Sequence, residues 1–389
     1  MTQPRSKSGQ ERFQEKCGAV FRPEPRQNKS ELLSIQYLRG LAALTVLVSH
    51  TLQWPLPQMS QTLLRSGRLG VEVFFIISGF IITQVAGDGA FNRMNFLKRR
   101  AWRIVPLYWG ATLAVTLLAV ILPSLFRTTN PTALGVAESL LFIPSEAPKA
   151  PLLGVGWTLD YEVFFYFLFA CLADFASETR TLAVCTLLAG LMLIGQVAPH
   201  ETALEYFYTS PSLLGFALGT VLAQAHRHGV IARLARLPVF VLAGAALALT
   251  ALFFAIPAAD EAGRAPFSFH MAMSAAAIAI VGGGLALESG RKLKTSAVLH
   301  YLGDASYSIY LFHLFVVGAG WAIAHRLWPD SAAEYAIAAT LTGIAALASG
   351  LAAHQLIERP LLKLQKFRAR KEPAPVFAVL PDHSLTALR

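Results

Sequence analysis

Residues 38–50 read "LRGLAALTVLVSH": an arginine, ten residues that are mostly aliphatic, and a histidine. Extended to about 35–54, the run is long and apolar enough to cross a bilayer as a helix, which takes roughly 17 to 25 such residues. Each helical residue turns about 100° and rises about 1.5 Å, so eleven steps bring Arg39 and His50 back to one face, about 16 Å apart. The arginine then sits at a membrane rim and the histidine deep in the span. An ionisable side chain at that depth is costly and is a functional candidate by default. A core histidine hydrogen-bonded to a neighbouring helix is the alternative.

The surrounding chain repeats the pattern. Of 389 residues, 54% are hydrophobic and only 14% charged, against roughly 25% charged in an ordinary soluble domain. Ten apolar spans can be counted, at about 35–54, 69–86, 104–123, 154–175, 181–198, 210–226, 237–257, 267–287, 298–324 and 334–357. The fold class that follows is an all-α, polytopic membrane bundle of about ten transmembrane helices. Residues 1–32 and 363–389 read as polar, basic tails flanking one membrane domain at 33–362. The first thirty residues have no apolar stretch of the kind a cleavable signal peptide needs.

Charge placement gives a separate check. With ten spans and both termini in the cytoplasm, 27 of the 33 Lys and Arg fall on the cytoplasmic side and 6 outside, as the positive-inside rule requires. This distribution accounts for the net charge of +10 without nucleic acid. Three cysteines, Cys17, Cys171 and Cys185, do not make a disulfide framework. Within 124–153, the segment "NPTALGVAESLLFIPSEAPKAP" suggests a short amphipathic helix bounded by prolines. No internal repeat is visible.

Several further polar groups fall at membrane depth. Glu72, in "GVEVFFIISGF", lies three residues into the second predicted span and so at nearly the depth of His50; a carboxylate there could orient the imidazole, or form a purely structural pair with it. In "GWTLDYEVFFYF", Thr158 and Glu162 share a helical face, as do Trp157 and Tyr161. Glu162 calls for a cavity or a partner, whereas the aromatic pair also fits an ordinary interfacial belt. In "GDASYSIYLFH", Ser306, Tyr310 and His313 form one polar stripe with Tyr307 beside it, facing either a substrate path or another helix. Before the third span, Arg100 and Arg103 put two guanidiniums on one face, a geometry suited to phosphate oxygens and also to a basic membrane flank. His50, His313, His354, Glu72 and Glu162 lack the spacing of a metal site.

Together these segments resemble acyltransferase family 3, a family of integral membrane proteins, over most of 33–362. The resemblance rests on Arg39 and His50 ten residues apart, on "GVEVFFIISGF", on Arg100 and Arg103, on "WTLDYE", on "SYSIYLFH" and on "HQLIERP", in that order. It implies transfer of an acyl group, usually acetyl from acetyl-CoA, to a sugar hydroxyl beyond the membrane. His50 would be the catalytic base, with Glu72 and Glu162 in support. Arg39, Arg100 and Arg103 would hold the CoA end, and Trp157, Ser306, Tyr307, Tyr310 and His313 would line the substrate path. "IQYLRGLAALTVLVSH" most resembles members that decorate bacterial exopolysaccharide.

The expectation is therefore a multi-pass enzyme of the bacterial inner membrane. Acyl-CoA is its donor, a polysaccharide or lipid-linked oligosaccharide its acceptor, and it carries no resident cofactor. His50 could act in direct transfer or carry the acyl group itself. The competing class is a transporter or flippase of a lipid-linked sugar or small metabolite, with His and Glu as a proton relay. Such a protein tends to show paired internal repeats, and it would not bind CoA.

Overall fold

A computed structural model describes residues 32–53, 60–123, 131–144, 151–198, 202–257, 265–327 and 332–371. Among these the regular structure is helical throughout. A helical element lies at each of the ten segments expected to span. They are α1 (Leu33–Leu52), α2 (Ser60–Ala86), α3 (Arg93–Ile121), α5 (Gly156–Cys171), α6 (Ser177–Val197), the turn Pro211–Leu213 with α8 (Leu214–Arg227), α10 (Val239–Ala255), α11 (Phe267–Ser289), α12 (Ala297–Leu327) and α13 (Ala332–Ala353). Among the described residues, six helices are long and apolar enough to cross a membrane by length and composition. The short elements are α4 (Ala133–Leu141), α7 (Ala203–Tyr208), α9 (Val230–Leu234) and, after a π-turn at His354–Glu358, α14 (Arg359–Lys371). The segment expected to hold a short helix between prolines does hold α4, capped by the Thr132 side chain. Most of both expected tails lies outside the described residues.

The bundle is apolar on the outside. Leu117, Val120, Leu182, Leu193, Phe240, Leu247, Leu341 and Ile344 are each more than half exposed, while Glu72, Asp160, Ser306, Ser308 and His313 are buried. A water-soluble domain would bury the first set and expose the second; the reverse is what a hydrocarbon solvent selects. This is a multi-pass membrane protein.

Glycine decides how the helices that carry polar groups meet. A Cβ on Gly303 would collide with the Gln36 carbonyl oxygen, and one on Gly40 would lie 2.9 Å from Leu302, so α1 and α12 touch backbone to backbone at one end. Farther along the same two helices His50 meets His313, so they run parallel. Helix α2 returns antiparallel to α1, with Gly67 against Ser49 and Gly70 against the Ala42 carbonyl. It crosses α8 where Gly79 faces Phe216 and Gly219 faces Ile76. Gly215 and Gly219 form a G-x-x-x-G face, which lets two helices approach without the bulk of side chains. Beside this crossing Phe75, Phe216 and Phe165 stack with ring centroids 4.5 and 4.7 Å apart, which ties α2, α8 and α5 into one core.

Candidate functional site

Helices α1, α2, α3, α5 and α12 enclose a cavity of about 80 Å³, room for several waters. At one end stand Arg39, Arg100 and Arg103; along the walls are Ser78, Glu162, Tyr166 and Tyr307; at the other end are Thr158, Tyr310 and Phe74. Three guanidiniums therefore share a space with one carboxylate.

Most of these side chains are held by neighbours. Arg39 donates to Ser306 Oγ at 2.9 Å and to Gln36 Oε1 at 3.2 Å, both neutral acceptors. The Arg100 guanidinium lies over the rings of Phe96 and Tyr166, 5.7 Å from each centroid. Arg103 makes no ion pair or hydrogen bond among the described residues. Glu162 accepts from Ser78 Oγ at 2.9 Å and from the Tyr166 hydroxyl. Tyr307 donates to the Ile104 carbonyl at 2.9 Å, pinning α12 to the helix that carries Arg100 and Arg103. The Tyr310 and Thr158 hydroxyls are 2.7 Å apart. With three guanidiniums facing one cavity and a single carboxylate among them, the arginine end is suited to a polyanion.

Beyond Tyr310 the polar stripe continues to His313, one helical turn on. His313 Nδ1 faces the Tyr310 and Ile309 carbonyls at 2.9 and 3.2 Å. Facing two acceptors, it carries the hydrogen, so a neutral His313 presents a lone pair at Nε2. That atom is 3.2 Å from His50 Nδ1, which also lies 3.0 Å from the Val46 carbonyl. His50 Nδ1 consequently carries its hydrogen too. The Nε2 of His50 is left with a free lone pair and makes no hydrogen bond among the described residues. Two carbonyls fix one ring, and that ring fixes the tautomer of the next.

Three of the expected residues, Glu72, His313 and Trp157, stand elsewhere than expected. Glu72 does not pair with His50: its carboxylate accepts from Ser274 Oγ on α11 and packs against Gly215. The expected equality of depth fails because α2 begins at Ser60, nine residues before the apolar run, which carries Glu72 past His50 to the level of Ala42. The ring that meets His50 is that of His313, which is not among the residues around the cavity. Trp157 is likewise outside the cavity wall; it is 37% exposed and meets Phe75 and Tyr161 edge-on. Arg39, Arg100, Arg103, Glu162, Ser306, Tyr307 and Tyr310 do come together. Ser78 and Tyr166 were not singled out, although Tyr166 follows Glu162 by one turn in "GWTLDYEVFFYF".

Residues 32–354 match the acyltransferase domain family known as acyltransferase 3. The chain belongs to this family. Acyltransferase 3 members are thus the reference for its chemistry, and the protein is an acyltransferase. It is 33% identical over 323 residues to the "Exopolysaccharide production protein ExoZ" of Rhizobium meliloti, covering 79% of this chain and 93% of that one. It is 28% identical to the "Acyltransferase MdmB" of Streptomyces mycarofaciens, over 88% and 95% of the two chains. To the "O-acetyltransferase OatA" of Staphylococcus aureus it is 25% identical over 71% of its own length and 49% of the relative's. No solved structure matches the chain significantly.

Proposed function

We propose that this acyltransferase moves an acetyl group from cytoplasmic acetyl-CoA to a hydroxyl of a cell-surface polysaccharide, free or still lipid-linked, on the far side of the inner membrane. The names of the relatives, an exopolysaccharide production protein and an O-acetyltransferase, support the acceptor class and the reaction. The bias of Lys and Arg supports cytoplasmic termini and an arginine end facing the cytoplasm.

The observation that carries the reading is the pairing, along one face of α1, of an arginine-rimmed cavity with an imidazole whose Nε2 lone pair is free. Arg39, Arg100 and Arg103 hold the donor's phosphates, and the pantetheine arm runs along the cavity past Glu162 toward Tyr310. About 16 Å beyond Arg39 along α1, His50 Nε2 takes the proton of the acceptor hydroxyl as its oxygen attacks the thioester carbonyl. The C–S bond then breaks, and the CoA thiolate recovers the proton from the imidazolium. His313 keeps Nε2 as the basic atom through the cycle. General base catalysis of this kind is worth about 10² to 10⁴ in rate.

The test is transfer of radiolabelled acetyl from acetyl-CoA to envelope polysaccharide in membrane vesicles, comparing the wild type with His50→Ala at equal protein level. Label that appears with the wild type and is lost in the variant supports the reading. A folded wild type that transfers nothing from acetyl-CoA overturns it in favour of transport.

A further inference from the structure

The first turns of α2 carry a second cationic group, at the opposite end of the bundle from the cavity's arginines. Ser49 Oγ donates to the Leu63 carbonyl at 2.6 Å and Gly67 packs on Ser49, which sets residues 63–68 beside the last turn of α1, next to His50. Arg65 and Arg68 are one turn apart, and each guanidinium carbon lies 5.8 Å from the centroid of the same ring, Phe269 of α11. Arg65 donates to the Phe254 carbonyl at 2.7 Å; neither arginine has an ion pair among the described residues. The residue after Phe269 is His270. Its side chain is 9% exposed, its ring packs edge-on against Phe269, and its buried Nδ1 has no hydrogen-bond partner.

These charges run against the distribution of the rest of the chain. With both termini cytoplasmic, only 6 of 33 Lys and Arg would fall on the external side, and two of the six are this pair. Two guanidiniums fixed over one aromatic floor, with an unpartnered imidazole beside them, match the oxygens of a phosphate group. We propose that Arg65, Arg68 and His270 form an anion subsite that takes a phosphate or diphosphate borne by the acceptor at headgroup level, and so presents the acceptor's sugar to His50. The inference rests on the acyltransfer reading for its purpose and on the α2–α11 geometry for its chemistry.

The experiment uses the full chain in phosphatidylcholine nanodiscs, with CoA saturating so that the cavity arginines are engaged, and farnesyl diphosphate as the probe in calorimetric titration. Binding is expected for farnesyl diphosphate and not for farnesol. In Arg65→Gln/Arg68→Gln it should weaken at least about tenfold, as loss of charge-assisted contacts implies, while CoA binding is retained as the control for folding. Farnesyl diphosphate should also inhibit acetyl transfer competitively against acceptor and not against acetyl-CoA. Absence of binding, or equal binding by the double variant, overturns the proposal. Binding abolished by phosphatidylglycerol in the discs also overturns it, by assigning the site to ordinary phospholipid. Arginine-dependent binding in a protein that transfers no acetyl would leave the subsite standing and remove the acyltransfer reading instead.

Discussion

Arg39 and His50 occupy one face of one helix, yet their surroundings differ in kind. Arg39 is held by two neutral acceptors, Gln36 and Ser306, in a space it shares with Arg100 and Arg103. His50 is held through one ring nitrogen only, by Val46 and His313, and the other is left open. A group that binds by permanent charge can be anchored at every donor that does not face its ligand. A group that must accept and release a proton needs one atom fixed and one unengaged. In the proposed reading the same helix separates holding from chemistry by about three turns.

The largest effect should come from breaking the open end. His50→Ala is expected to lower kcat by about 10² to 10⁴ with little change in the KM for acetyl-CoA, read in the vesicle assay; normal transfer by the variant would make the imidazole structural. At the holding end, Arg100→Ala or Arg103→Ala should raise the KM for acetyl-CoA about ten- to a hundredfold, the equivalent of roughly 1.5–3 kcal/mol for a charge-assisted contact, with kcat less affected. If kcat falls and KM does not, the two ends are not divided as described. His313→Ala should lower kcat about tenfold by leaving the Val46 carbonyl alone to hold the His50 tautomer, and the deficit should appear in the pH profile of kcat rather than in KM. Smallest is Glu72→Gln: with Ser274 as its partner, it should leave kcat within a few-fold, because a neutral amide still fills the place beside Gly215. A loss equal to that of His50→Ala would restore the pairing that the structure separates.

How much of this was legible in the sequence depends on distance along the chain. Relations within one helix were readable: Arg39 with His50, Thr158 with Glu162, and the Ser306–Tyr310–His313 stripe follow from helical periodicity. The ten helical segments were readable from hydropathy for the same reason. The start of α2 was not, because Arg65 and Arg68 make "SQTLLRSGRL" polar enough to be set outside the span, and that displacement misplaced Glu72. Contacts between helices were also beyond reach. Ser78 with Glu162, Tyr307 with Ile104 and His313 with His50 depend on which faces meet. The glycines that decide this carry no side-chain signal of their own.

The crossing of α2 and α8 has a consequence for motion. With Gly79 and Gly219 pressed against the opposing main chains, neither helix can slide past the other without losing that fit. Any rocking scheme would have to carry both as a single rigid strut. The strut passes beside the cavity, bearing Ser78 and Phe75 on its wall, so the cavity has a fixed wall on that side. Whatever occupies the cavity meets, on that side, a surface whose shape is set by backbone contact and does not yield to a swing of either helix.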